Sequence, residues 1–246
     1  MIEQLVPPWA RGAEALGDPP GAAPHPAELR FLPPGAIQGR RREFATGRAC
    51  ARSALAALGA PASGPLPRGA HGAPVWPAGT LGSITHCDGY RAAVAARTAD
   101  GLALGIDAER PRPLSERATT AIATPEELHQ LRTLQRTSRG VLPWATLLFS
   151  TKEAVYKAWH PHARRPLSFR DAEVRIEPCD EARGVLTVRP TRLALPALDG
   201  GYRFADGLLV TVVHQSLTRA LSSALPRTPS DPRALPSPVP ERAAAR

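Results

Sequence analysis

Lysine is nearly absent from this chain. Lys152 and Lys157 are the only two, in a sequence whose Lys and Arg together number 31. Every other positive side chain is arginine. Two lysines five residues apart, either side of Glu153, point to a need for a compact ammonium there rather than a flat guanidinium. Cysteine is scarce too. Cys50, Cys87 and Cys179 show no paired spacing, which argues against a disulfide frame or a zinc site and fits reduced thiols in a cytoplasm. No apolar run is long enough to cross a bilayer, so no membrane partner is expected. The start, Met1 to Trp9, has an early acid and no apolar stretch, so no signal peptide is expected. Aromatics make up only 5% of residues, and the arginines are scattered rather than interleaved with rings. That argues against nucleic acid.

What is present is positive charge. The chain carries +9 over 246 residues, and the stretch after Thr218 contributes +3 of it. The remaining body, near +6, suggests anionic partners such as phosphates or an acidic protein. The length suits one large domain or two small ones.

Residues 1–35 are rich in Pro and Gly and read as an extended surface arm. Gly39 to Leu58 reads as a helix ended by Gly59 and Pro61. Phe44, Ala51, Leu55 and Leu58 share one of its faces, and Arg41, Arg48 and Arg52 form an adjoining stripe. That stripe is either a solvated basic face or a phosphate contact near a helix start. Arg68 and His71 lie in the loop that follows. Gly82 to Cys87 reads as a short strand opening into a turn at Asp88-Gly89, with His86 at its end. Arg91 to Arg97 and Leu102 to Glu109 read as strands paired around Asp100-Gly101. Side chains two apart share a strand face, so Asp107 and Glu109 project together, roughly 6–7 Å apart at Cα. They are either a solvated strand end or a hard-oxygen pair suited to Mg²⁺. A helix is expected from Thr124 or Pro125 to about Leu134. Strands are expected over Ala172 to Glu177, Val185 to Arg189 and Leu208 to His214. Residues 221–246 are expected to be disordered.

The stretch Phe149 to Trp159 gathers the rest. At about 100° per residue, with Lys152 as origin, Tyr156 lies near 40°, Glu153 near 100° and Lys157 near 140°. Ala154, Val155, Ala158 and Trp159 fill the opposite arc and pack. One face thus offers two ammonium groups and a carboxylate. The plainer alternative is a capping box at Ser150-Thr151-Lys152-Glu153 with an ordinary Glu153–Lys157 helix pair.

Together these motifs resemble a known family. Gly105-Ile106-Asp107-Ala108-Glu109, followed 40 residues later by Phe149-Ser-Thr-Lys-Glu-Ala-Val-Tyr-Lys-Ala-Trp159, looks like the paired signature of phosphopantetheinyl transferases of the surfactin-synthetase type. Trp76-Pro77, Gly82 to Cys87 and the Arg41-to-Arg52 helix match two further signatures, most like the actinobacterial and enterobactin-related members. The likeness covers about residues 25–215.

The resemblance implies an α+β fold: a pseudo-twofold pair of similar subdomains with the active site between them. The halves would be 1–103 and 104–220, followed by the tail 221–246. It implies transfer of phosphopantetheine from coenzyme A to a serine of an apo acyl, aryl or peptidyl carrier protein with an acidic surface, releasing adenosine 3′,5′-bisphosphate. Asp107, Glu109 and Glu153 would hold Mg²⁺, with Mn²⁺ as the alternative. Glu153, Lys157 and Lys152 would be catalytic. Arg40, Arg48, Arg68, His86, Lys152 and Lys157 would hold phosphates. A cytoplasmic monomer is expected. Thr85 departs from the serine common in the family, and Arg68 and His71 stand where lysine is expected. The rival is a magnesium-dependent nucleotide or phosphodiester hydrolase, which would share the acids and lysines but need no carrier.

Overall fold

The computed structural model describes residues 1–69, 72–138, 142–163, 166–191 and 195–217. His71 and the expected disordered tail lie outside these residues. Among them, no helix is long and apolar enough to cross a membrane.

The chain folds into two antiparallel sheets, each carrying helix on one face. In the first, β1 (Ala10–Leu16), β3 (Tyr90–Arg97) and β2 (Thr80–Cys87) lie in the order β1-β3-β2. Helix α1 (Gln38–Ala57) covers this sheet, packing Cys50, Ala51, Ala54 and Leu55 on Ala93 and Ala95. The run of small residues in β3 lets α1 approach, and the strand is buried on both faces as a central strand should be.

The second sheet has the order β4-β8-β7-β6-β5, from β4 (Gly101–Glu109), β5 (Ala172–Pro178), β6 (Arg183–Pro190), β7 (Leu198–Ala205) and β8 (Leu208–Ser216). Helices α2 (Glu116–Ile122), α3 (Pro125–Thr137) and α4 (Trp144–Trp159) complete this half. Leu147, Leu148, Val155 and Trp159 of α4 share a core with Val174, Leu186 and Val213 of the sheet.

Strand alternation divides β4 between two jobs. Leu104, Ile106 and Ala108 face the first sheet and pack with Tyr90, Ala92, Val94 and Ala96. The odd positions face α4. The interface between halves is thus built from even positions, leaving Gly105, Asp107 and Glu109 for the helix side.

Three expectations need correction. Residues 10–16 are a strand rather than part of an arm. Asp100-Gly101 does not close a hairpin, since β3 pairs with β1 and β2 while β4 pairs with β8. The hairpin turn is at Asp88-Gly89, where Gly89 takes φ 69°. Gly101 instead clears room for the Trp9 ring, which would lie 2.3 Å from a Cβ there. Finally, Ser150 to Glu153 is mid-helix, not a capping box, because α4 begins two turns earlier at Trp144.

Candidate active site

The site forms where α4 crosses β4. Gly105 makes the crossing possible: a Cβ there would sit 2.0 Å from Ala154 O and 3.0 Å from Ala158 N. With that gap closed, Glu153 and Lys157 come down beside Asp107 and Glu109. The Lys157 ammonium donates to Asp107 Oδ1 at 2.7 Å and Ile106 O at 3.0 Å, and lies 3.4 Å from Thr85 Oγ1.

Thr85 joins the two halves here. Its hydroxyl accepts from Ala108 N at 3.0 Å and reaches Asp107 Oδ1 at 3.3 Å. Ser83 Oγ accepts from Ile106 N in the same way. Two β2 hydroxyls thereby satisfy the outer backbone edge of β4, which the ladder to β8 leaves unpaired.

The carboxylates feel one another. Burial first, then the Asp107 charge, pushes Glu109 up to about 7, with Glu153 adding to the rise and Lys157 opposing it. Glu153 is likewise raised, by burial and by Asp107, against Lys157. Three acids around one ammonium are short of positive charge. Asp107 Oδ2 is also buried and receives no hydrogen bond from a described residue. An orphaned hard oxygen among half-buried acids is a donor set that fits a divalent cation of the magnesium type. Among the described residues no group of three or more His, Cys, Asp or Glu side chains is arranged so that it could hold a metal ion, so Asp107, Glu109 and Glu153 would have to draw together around one.

Beside this cluster, His86 Nδ1 bonds Glu43 Oε1 at 2.7 Å, and Arg40 holds Glu43 Oε2 at 2.7 Å. Partial desolvation lowers the His86 pKa, Glu43 opposes the shift, and the charges of Arg40 and Lys157 add to it. Arg48 is less available. Its guanidinium lies over the Phe44 ring at 3.6 Å and beside buried Glu28 at 3.7 Å. Burial lowers its pKa to about 10, and Arg52, Arg68 and Arg40 push in the same direction. Arg68 is exposed, with Nη1 3.5 Å from Phe31 O. These charges act on one another along one path: Lys157 and Arg40 on His86, and Arg40 and Arg68 on Arg48.

Lys152 is not on that path. Its ammonium is fully buried on the other side of α4, bonded to Glu127 Oε2 at 2.7 Å and to three backbone carbonyls. The expected pair of ammonium groups flanking Glu153 in the cleft is therefore one ammonium, Lys157. Helical angle placed Lys152 near the polar arc, but oxygens from α2, α3 and the β5 approach draw it inward. Sequence reading also missed Glu43 and Glu127, and it named Thr85 only as a departure from the family's serine. For Glu43 the signal was its i,i+3 spacing from Arg40 on α1.

A cavity of about 640 Å³ opens between the halves next to the acids. Trp76 and Ile84 wall it from the first half, Leu104 from β4, and Glu153, Tyr156 and Lys157 from α4. The volume is that of a small-molecule site.

Two α+β subdomains with an acid-and-ammonium cluster at the mouth of a shared cavity make this a two-subdomain α+β enzyme. Residues 28–96 match the 4′-phosphopantetheinyl transferase N-terminal domain, and residues 103–210 match the 4′-phosphopantetheinyl transferase superfamily. The chain is 40% identical over 225 residues to the 4′-phosphopantetheinyl transferase Svp of Streptomyces mobaraensis, covering 87% of this chain and 88% of that one. It is 36% identical to Npt of Nocardia iowensis, over 87% and 99% of the two chains. With PptT of Mycobacterium tuberculosis identity is 43%, over 67% and 70%. The chain belongs to the 4′-phosphopantetheinyl transferase superfamily.

Proposed function

We propose that the protein moves the 4′-phosphopantetheine arm of coenzyme A to a serine hydroxyl of an apo acyl, aryl or peptidyl carrier protein. In this reading Asp107, Glu109 and Glu153 hold one Mg²⁺ or Mn²⁺. The observation that carries it is the Lys157–Asp107 bond at 2.7 Å, which joins α4 to β4 beside the cavity that Glu153 and Lys157 line, with Glu109 and Glu153 both subject to the Asp107 charge. When bound, the ion would offset the pyrophosphate charge and make phosphorus easier to attack.

The chain's own residues account for the rest. The serine oxygen forms a bond to the phosphorus next to pantetheine, and the bond from that phosphorus to the bridging oxygen breaks. Adenosine 3′,5′-bisphosphate leaves with the electron pair. Glu153 receives the serine proton, directly or through water. Its raised pKa makes it a better base than a solvated glutamate. Lys157 supplies fixed positive charge where the pyrophosphate charge shifts. His86 and Arg40 stand next to it for the nucleotide phosphates, with Arg48 and Arg68 further along. The net positive charge of the chain suits an acidic carrier surface, which would steer encounter.

The test is mass spectrometry of an apo carrier protein after incubation with this protein, coenzyme A and Mg²⁺. Gain of one phosphopantetheine on serine is the expected result. Release of free phosphopantetheine from coenzyme A without a carrier would instead support the hydrolase.

A further inference from the structure

The chain's two lysines share a geometric feature: each nitrogen is a point on which several oxygens converge. Three converge on Lys157 Nζ. Four converge on Lys152 Nζ: Glu127 Oε2 at 2.7 Å, Phe169 O at 2.8 Å, Ile122 O at 2.9 Å and Ala172 O at 3.1 Å. An ammonium directs three N–H bonds tetrahedrally from one atom, whereas a guanidinium spreads five donors over a plane. Neither cage suits the arginine used everywhere else.

Glu127 extends the Lys152 cage. Its Oε2 also accepts from Thr124 N at 2.7 Å, and its Oε1 from Val174 N at 2.7 Å. One buried ion pair thus ties the end of α2, the cap of α3, the 169 turn and β5 to a single point on α4. On the β4 side, the helix is fixed by the close approach of Gly105 to Ala154. Glu153 lies between these two anchors in the sequence.

We propose that Lys152 is a positioning residue. By anchoring α4 to Glu127 it fixes the rotation of the helix, and so sets Glu153 and Lys157 over Asp107 and Glu109. It does not itself contact substrate phosphate. This inference rests on the transferase reading for its rate measurements, but its binding measurements do not.

A single Lys152→Met change leaves Glu127 buried without its partner and destabilises the fold. The decisive variant is therefore Lys152→Met with Glu127→Gln. Glutamine keeps a carbonyl oxygen for Val174 N and offers an amide N–H to the carbonyls that lost the ammonium, at the cost of the bond from Thr124 N. The variants to compare are this pair, Lys152→Arg, Glu127→Gln alone and the unaltered protein. The measurements are melting temperature, calorimetric binding of coenzyme A and of Mn²⁺, and transfer kinetics.

Positioning predicts that the folded pair binds coenzyme A within about threefold of the unaltered protein. It predicts Mn²⁺ binding weakened about tenfold or more, and kcat lowered on the order of 10²-fold, the scale of a misplacement near 1 Å. Glu127→Gln alone, far from the cleft, should show the same pattern more weakly. A folded pair with unchanged kcat and Mn²⁺ binding would overturn the proposal. So would coenzyme A binding lost in the Lys152 variants but untouched by Glu127→Gln, which would make Lys152 a phosphate ligand. If the unaltered protein fails to modify a carrier, the transferase reading falls, while the Mn²⁺ comparison still decides the role of Lys152.

Discussion

Lys152 and Lys157 lie on one helix, five residues apart, and do opposite things. Lys152 is buried against Glu127 and serves the packing of the second half. Lys157 keeps 28% of its side chain exposed and meets Asp107 at the cleft. Burial moves the pKa of both members of the first pair against their charged forms, Lys152 downward and Glu127 upward, with their mutual attraction opposing the shift. Five further hydrogen bonds to the two groups favour their ionised forms against that burial. Around Lys157 the balance is reversed, with more acids than the ammonium can satisfy. A fully matched charge pair gives structure, and an under-matched one gives a site for a further cation.

The comparison breaks most visibly at these two positions. Lys157→Met should lower transfer by about 10²-fold or more, as loss of a preorganised charge does, with a smaller loss of stability than Lys152→Met because Lys157 keeps part of its side chain in solvent. Lys152→Met should cost about 3–5 kcal/mol of stability, because it strands a buried carboxylate. Denaturant titration of both variants checks this, and equal loss of stability in the two would contradict it. Gly105→Ala comes next. Its Cβ would force α4 off β4, at a cost of about 1–3 kcal/mol from overpacking and a fall in transfer larger than the stability loss explains. Unfolding midpoints and carrier modification measured on the same preparation check it.

The smallest effect is in pH. The folded pKa of Glu109, about 7, exceeds its unfolded value of about 4.3. Between those values the folded protein holds a proton that the unfolded chain has lost. Without added metal, stability should therefore decline as pH rises through this window and level off above it. Glu109→Gln should flatten that part of the curve. A cation bound at the site competes with the same proton, so Mg²⁺ affinity should rise toward about pH 7.

Much of this site could be read from the chain because it rests on local periods. Alternation in β4 set Asp107 and Glu109 on one face, and helical angle set Glu153 and Lys157 together on α4. What sequence could not show was tertiary. Lys152 lies within the polar arc by angle, yet it is buried because Glu127 and three carbonyls come to it from other elements. β1 escaped notice because Ala-Arg-Gly-Ala-Glu-Ala-Leu has neither β-branched residues nor clear alternation; pairing with β3 makes it a strand. Asp100-Gly101 and Asp88-Gly89 are the same dipeptide. Only the second closes a hairpin; after the first the chain leaves to pair with β8, and the Trp9 ring packs where a side chain at Gly101 would stand. The strand Leu198–Ala205 carries two adjacent glycines and was also missed. Gly200 lies so close to its partner strand that a Cβ would stand 2.3 Å from Val212 O.

The central claim is that three acids from β4 and α4 share one divalent cation beside Lys157. The direct measurement is Mn²⁺ titration, in the presence of coenzyme A, of the unaltered protein and of Asp107→Ala, Glu109→Ala and Glu153→Ala. The account predicts one tight site, weakened about tenfold or more by each replacement. Unchanged affinity in Glu153→Ala, with the protein folded, would contradict it.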